Sequence, residues 1–147
     1  MEAKTAKNRV SVLVVNRSRG AKREHLTLMK SCARRAAGLL PLRGEISIAV
    51  IDDEEMRELN RIYRNISRTT DVLSFEQDGG GLAGDIVISF ETALRRAKLY
   101  GITPEEEIKK LIVHGAAHLA GHRHKKKREG ETMRAEEAKI LRAVSNL

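Results

Sequence analysis

Four of the five histidines of this chain fall within eleven residues, His114-Gly115-Ala116-Ala117-His118-Leu119-Ala120-Gly121-His122-Arg123-His124. Residues four apart on a helix share a face with Cβ atoms about 5–6 Å apart, so His114 and His118 can both reach one cation. A glycine at position 121 can adopt the left-handed conformation that ends a helix and turns the chain back. Such a turn would carry His124 over the first two imidazoles. His122 is the competing third ligand, but it stays on the ligand face only if the helix runs through Gly121, so His124 is favoured. His25, alone among Lys22, Arg23 and Glu24, reads as a solvated side chain.

Three neutral imidazoles leave a zinc ion one open position for water, the arrangement of a catalytic zinc site. The spacing is that of the metzincin signature, with one departure. Gly115 stands where those peptidases carry the glutamate that acts as general base. The pattern therefore keeps the metal ligands and drops the peptidase chemistry.

The elements that must position these residues follow from hydrophobic period. Val10 to Val15 read as a strand apolar on both faces, and Leu26, Met29, Ala33, Ala36, Ala37 and Leu40 recur at helical spacing before Pro41 and Gly44. Ile46, Ile48 and Val50 predict a strand, and Asp52 or Asp53 caps a helix through Met56, Leu59, Asn60 and Tyr63. Residues 64–71 read as a polar loop. Val72–Phe75 and Gly84–Ser89 predict an antiparallel pair around the turn Gly79-Gly80-Gly81. A short helix over 91–100 ends at Gly101, and Thr103-Pro104-Glu105-Glu106 forms a capping box that starts the histidine helix. There Ile108, Leu111, Ile112 and Ala116 form the buried stripe, which places the histidines at a cleft edge. A last helix over about 131–144 presents Met133, Ala138, Leu141 and Val144. The expectation is one α+β domain over residues 1–147, a mainly four-stranded sheet packed with about five helices and a zincin-like metal helix.

A chain of 147 residues can bury a core without disulfides. The lone Cys32 reads as a small buried residue in a reducing, cytoplasmic setting. No signal-peptide pattern and no apolar run near the ~18 residues of a membrane span is visible. Lys and Arg number 28 against 20 Asp and Glu, a net charge of +8 that favours a polyanion such as RNA. With aromatics at 3% and no Trp, phosphate attraction should dominate that contact. The run Lys125-Lys126-Lys127-Arg128 follows the third histidine and is either a solvated linker or a grip on phosphates.

Taken in series, Leu59-Asn60-x-x-Tyr63-Arg64, Thr70-Asp71-Val72-Leu73-Ser74-Phe75, Gly84-Asp85-Ile86-x-Ile88-Ser89, the histidine run, Met133 and Glu137-x-x-Ile140-Leu141 resemble the YbeY family of metal-dependent endoribonucleases. The resemblance covers about residues 55–141 and departs from the family pattern at Thr69, Ala117 and the pair His122-Arg123. It implies a single-strand-specific, zinc-dependent endoribonuclease of 16S ribosomal RNA 3′-end maturation and ribosome quality control, with ligands His114, His118 and His124 and a catalytic Arg64. Its partners would be single-stranded RNA, ribosomal RNA and ribosomal particles.

Where the family has an aspartate, Arg123 adds positive charge and is a candidate phosphate contact. Asp71 and Asp85 lie beside strands, where a carboxylate either orients a ligand imidazole or simply caps a turn. Ser74 and Thr70 have no neighbouring base and suggest no nucleophilic triad. Two rivals remain: a zinc metallopeptidase, opposed by Gly115 and the basic charge, and a non-catalytic RNA-binding assembly factor whose structural metal is closed by a fourth ligand such as His122.

Overall fold

The computed structural model describes residues 10–76, 83–121 and 127–147, with backbone alone for 127–130. The elements run β1 (Val10–Asn16), α1 (Arg23–Gly38), β2 (Gly44–Ile51), α2 (Asp53–Arg64), β3 (Val72–Glu76), β4 (Gly84–Ser89), α3 (Phe90–Tyr100), α4 (Pro104–Leu119) and α5 (Lys127–Val144). The four strands form one mixed sheet in the order β1-β2-β4-β3. β1 and β4 flank β2 in parallel, and β3 pairs antiparallel with β4, Val72 opposite Ile88 and Glu76 opposite Gly84. The expected α+β architecture and the antiparallel pair are present; the Gly79-Gly80-Gly81 turn lies outside the described residues.

Alternation along the strands sorts side chains to two faces. Ile46, Ile48, Ile86 and Ile88 point to the larger core, where they meet Met29, Cys32 and Ala36 of α1, Ile108, Ile112 and Ala116 of α4, and Ile140 and Val144 of α5. Ile51, Leu73 and Val87 point the other way onto Met56 of α2. The sheet is thus covered by α1, α4 and α5 on one face and by α2 on the other. Burial pushes the Cys32 thiol up to about 12, against the pull of Lys109, so the cysteine is a packing residue as expected.

Four local expectations are corrected. β1 is an edge strand, so Leu13 (49% exposed) and Val15 (40%) face outward instead of filling a second apolar face. The last helix starts at Lys127, earlier than expected. Within it Ala138 is exposed while Ile140 is buried, because the stripe facing the core runs through Met133, Ile140 and Val144. His25 is not a solvated side chain: its Nδ1 accepts the Lys22 backbone N–H at 2.9 Å and its ring lies 4.9 Å from that of Phe90.

The loop between α2 and β3 brings the chain from one face of the sheet to the other, and two devices fix it. Buried Asn60 donates from Nδ2 to the Arg68 carbonyl at 2.8 Å. Asp53 accepts from Ser89 and Thr92 hydroxyls at 2.6 Å each, from Thr69 at 3.3 Å, and from Arg95 at 2.6 Å. One carboxylate thereby ties the start of α2, the start of α3 and the loop that delivers Thr70 and Asp71.

Candidate metal centre and its cleft

α4 begins as its sequence predicts. The Thr103 hydroxyl accepts the Glu106 N–H at 3.1 Å, and Glu106 Oε1 accepts the Thr103 N–H at 3.0 Å, with Pro104 in the first turn. About three and four turns later the helix presents His114 and His118 on one face, with their Nε2 atoms 3.1 Å apart. The helix stops at Leu119, and Gly121 has φ +95°, the left-handed conformation expected of it. His122 and His124 lie outside the described residues, as do Arg123, Lys125, Lys126 and the side chain of Lys127. Among the described residues no group of three His, Cys, Asp or Glu could hold a metal ion.

Two nitrogens on a tetrahedral ion at 2.0–2.1 Å stand about 3.3 Å apart, so the separation of the pair fits two ligands of one zinc. The other ring nitrogen of His114 meets a group the sequence reading assigned no site role. Glu137 Oε1, from α5, lies 3.0 Å from His114 Nδ1. Nδ1–H donating to that carboxylate leaves Nε2 with its lone pair toward the cleft. The Glu137 hydrogen bond raises the His114 pKa above its ordinary value, partial burial opposes the rise, and the Glu137 and Asp71 charges add to it.

His114 and Glu137 line a cleft of about 340 Å³ between α3, α4, α5 and the start of β3, together with Asp71, Arg96, Tyr100, Glu107 and Lys110. Of the two roles weighed for Asp71, its hydrogen bond is the local one at the start of β3, while the side chain also lines the cleft. Its Oδ1 accepts the Val72 N–H at 2.8 Å, and its other oxygen lies 3.4 Å from Arg96 on the cleft wall.

Asp85 does not join this cleft. It pairs with Phe75 and alternates with Ile86, so it shares the α2 face of the sheet, whereas Ile86 faces α4. Arg64 is exposed at the end of α2, one residue before Asn65, whose φ of +57° ends that helix. It is not among the residues lining the cleft. Ser74 hydrogen-bonds the Gly115 carbonyl at 3.4 Å, a packing contact.

Gly115 itself presses on the sheet. A Cβ there would stand 3.0–3.2 Å from three side-chain carbons of Ile86, which is fully buried. The position occupied by the peptidase glutamate in metzincins is here a close helix–sheet contact, where any side chain would have to displace Ile86.

Glu137 was missed because it lies 23 residues from its partner and only the docking of α5 on α4 joins them. Its sequence signals are its place in the Glu137-x-x-Ile140-Leu141 piece of the family resemblance and an acidic side chain set among Met133, Ile140 and Leu141 on the inward side of a helix.

Fold and cleft together define an α+β protein with a histidine pair on one helix, of which His114 lines a groove and is held by a carboxylate from a neighbouring helix. Known proteins narrow that class. The profile of the family described as Endoribonuclease YbeY matches residues 6–145. The Endoribonuclease YbeY of Aquifex aeolicus is 44% identical over 132 residues, covering 87% of this chain and 85% of that protein. That of Koribacter versatilis is 38% identical over 137 residues, covering 92% and 88%. A solution structure from Thermotoga maritima shares the fold at TM-score 0.64 and 22% identity, covering 91% of this chain and 89% of that one. The chain belongs to the Endoribonuclease YbeY family.

Proposed function

We propose that this member of an endoribonuclease family is a hydrolase that cuts single-stranded RNA internally with one zinc ion held by His114, His118 and His124. The observation that carries the reading is the 3.1 Å approach of the His114 and His118 Nε2 atoms, backed by Glu137 on the far side of the His114 ring. The left-handed Gly121 supports His124 over His122, since the helix that His122 would need ends at Leu119. Other divalent transition metals suit three imidazoles as well.

When bound, the ion supplies Lewis acidity toward a phosphoryl oxygen and makes hydroxide available near neutral pH. The chain's own groups do the rest. Glu137 keeps a proton on His114 Nδ1 and so holds the ring in the tautomer that presents Nε2. Arg64 is proposed to meet the negative charge that builds on the phosphate, because a planar guanidinium can hold two oxygens at once. Its place at the end of α2, seven residues before Asp71, puts it at the start of the loop whose far end lines the cleft. Arg123, Lys125, Lys126 and Lys127 are proposed phosphate contacts beyond the third ligand, and Asp71 a neighbour that favours positive charge at His114.

The substrate proposed is ribosomal RNA in the cytoplasm, with a role in maturing the 16S 3′ end and in ribosome quality control. No helix of the described residues is long and apolar enough to cross a membrane. A peptidase reading is disfavoured by the contact of Gly115 with Ile86.

Elemental analysis of the purified protein, paired with cleavage assays on single-stranded RNA and casein, tests the proposal. Wild type should carry zinc and cut RNA but not casein, and His118→Ala should lose both metal and cleavage. Arg64→Ala should keep its zinc and lose turnover; full turnover in that variant removes Arg64 from the chemistry.

A further inference from the structure

Beside the histidine pair, the cleft carries a second set of groups. Lys110 Nζ lies 5.0 Å from the centroid of the Tyr100 ring, a cation–π contact. The Tyr100 hydroxyl accepts from Arg96 Nη1 at 3.5 Å, and the same nitrogen lies 3.4 Å from Asp71. Beneath Lys110, the Glu107 side chain is 2% exposed, and its Oε1 lies 3.4 Å from Lys110 Nζ without accepting a hydrogen bond. Lys110, Tyr100, Arg96 and Asp71 thus form a connected row that ends in the cleft with His114.

We infer that this row is a nucleotide subsite flanking the scissile phosphate, in which Tyr100 stacks on a base of single-stranded RNA and Arg96 and Lys110 hold the adjoining phosphate. The subsite rests on the endoribonuclease reading above and says where its substrate lies.

Three properties favour this occupant. The volume, about 340 Å³, lies at the lower end of the roughly 300–1,000 Å³ of small-ligand sites and has room for about one nucleotide. The chain has two tyrosines and no Trp, and the ring of one of them, 51% exposed, stands between two cations in this cleft. Aromatic faces set in a cationic groove are how proteins hold single strands, and a duplex, whose bases are already stacked, offers no face to the ring.

The carboxylates beside the cations do not preclude a phosphate. The Arg96–Asp71 pair is 3.4 Å long and partly exposed on both sides, so it is weak, and Lys110, 48% exposed and 3.4 Å from the buried Glu107 carboxylate, keeps further N–H donors for a phosphate. Among the described residues both Arg96 contacts use Nη1, one of the three nitrogens of a five-donor fork, so a phosphate can add shorter, charge-assisted bonds. Arg96 also lines a neighbouring cavity of about 610 Å³ with Arg95 and Lys98, a continuation for the next phosphate along α3.

The test uses zinc-loaded full-length protein and a fluorescent, 2′-O-methylated single-stranded oligonucleotide, with its duplex for comparison. Tyr100→Ala should weaken single-strand binding roughly 5- to 150-fold, and Tyr100→Phe should restore it. Arg96→Gln and Lys110→Gln should each lower the slope of log affinity against log salt by about 0.7. Zinc content should stay that of wild type in all four, and on cleavable RNA the Tyr100→Ala loss should fall on KM. Wild-type affinity and slope in these variants overturn the subsite, as does an equal loss from Lys30→Gln with Arg34→Gln on the exposed side of α1. Absence of RNA cleavage by wild type would count instead against the endoribonuclease reading, while the oligonucleotide titrations still decide the subsite.

Discussion

If His114 is a metal ligand as proposed, Glu137 sets how well it serves. An imidazole whose Nδ1–H is held by a carboxylate presents a fixed and more basic Nε2, and loss of such partners typically costs 10- to 100-fold in metal affinity. Glu137→Ala should therefore bind zinc about 10- to 100-fold more weakly than wild type in competition with a chromophoric chelator. Glu137→Gln, which can still accept from Nδ1–H, should lose less. Equal affinity in all three proteins would show that the 3.0 Å contact only packs α5 on α4. The histidine pair was legible in the sequence because its geometry is local, four residues on one helix. Glu137 was not legible as a site residue, since nothing local says which acidic side chain of α5 meets α4. Asp85 shows the converse: a neighbouring glycine and strand suggested a site role, and strand alternation turns it to the opposite face.

Between elements, the contact of Gly115 with Ile86 sets how closely α4 lies on the sheet. A methyl group there must displace a fully buried isoleucine or lift the helix, and overpacking of this kind costs roughly 1–3 kcal/mol. Alanine recovers about 1 kcal/mol of helix propensity, so Gly115→Ala should destabilise by about 1 kcal/mol in urea unfolding. Gly115→Glu should lose several times more. A neutral Gly115→Glu variant would mean that the packing is loose and would reopen the peptidase comparison. The Thr103 capping box, the Gly101 helix end, the strand pair and the buried stripe of α4 were readable because each is set by residues close in sequence, whereas the side of α5 that faces the core was not. The parallel insertion of β4 beside β2 and the outward face of β1 depend on strand order, which the hydrophobic period does not encode.

Asp53 works at the same scale. Burial raises its pKa, but hydrogen bonds from Arg95, Ser89 and Thr92 and then the Arg95 charge outweigh it, leaving a value of about 2 against an ordinary 3.8. A depressed carboxylate stabilises the fold above its ordinary pKa, and the contribution is lost as pH falls through about 2. After solvent screening it amounts to about 1 kcal/mol at neutral pH. Asp53→Asn should be less stable by about that much at pH 7, and its deficit relative to wild type should close on acidification toward about pH 2. A deficit that persists unchanged there would assign the loss to the geometry of the loop and not to the charge.

For the whole molecule, the question is whether the proposed metal would hold the fold or only use it. The histidines are not part of either hydrophobic cluster: Ile108, Ile112, Ala116, Ile140 and Val144 of the two helices beside the site are fully buried among the sheet and α1. The ion is therefore expected to add a ligand's worth of stability to a chain already folded. At free zinc 100 times its dissociation constant this is about 2.7 kcal/mol, or roughly 5–11 °C in Tm for a chain of this size. A chelator should lower Tm by that margin and leave the far-ultraviolet circular dichroism unchanged. Loss of helical signal on chelation would point instead to a structural metal closed by a fourth side chain, the non-catalytic alternative. No shift in Tm, with zinc absent from the purified protein, would leave the histidine pair without its ion and the proposed chemistry without its source.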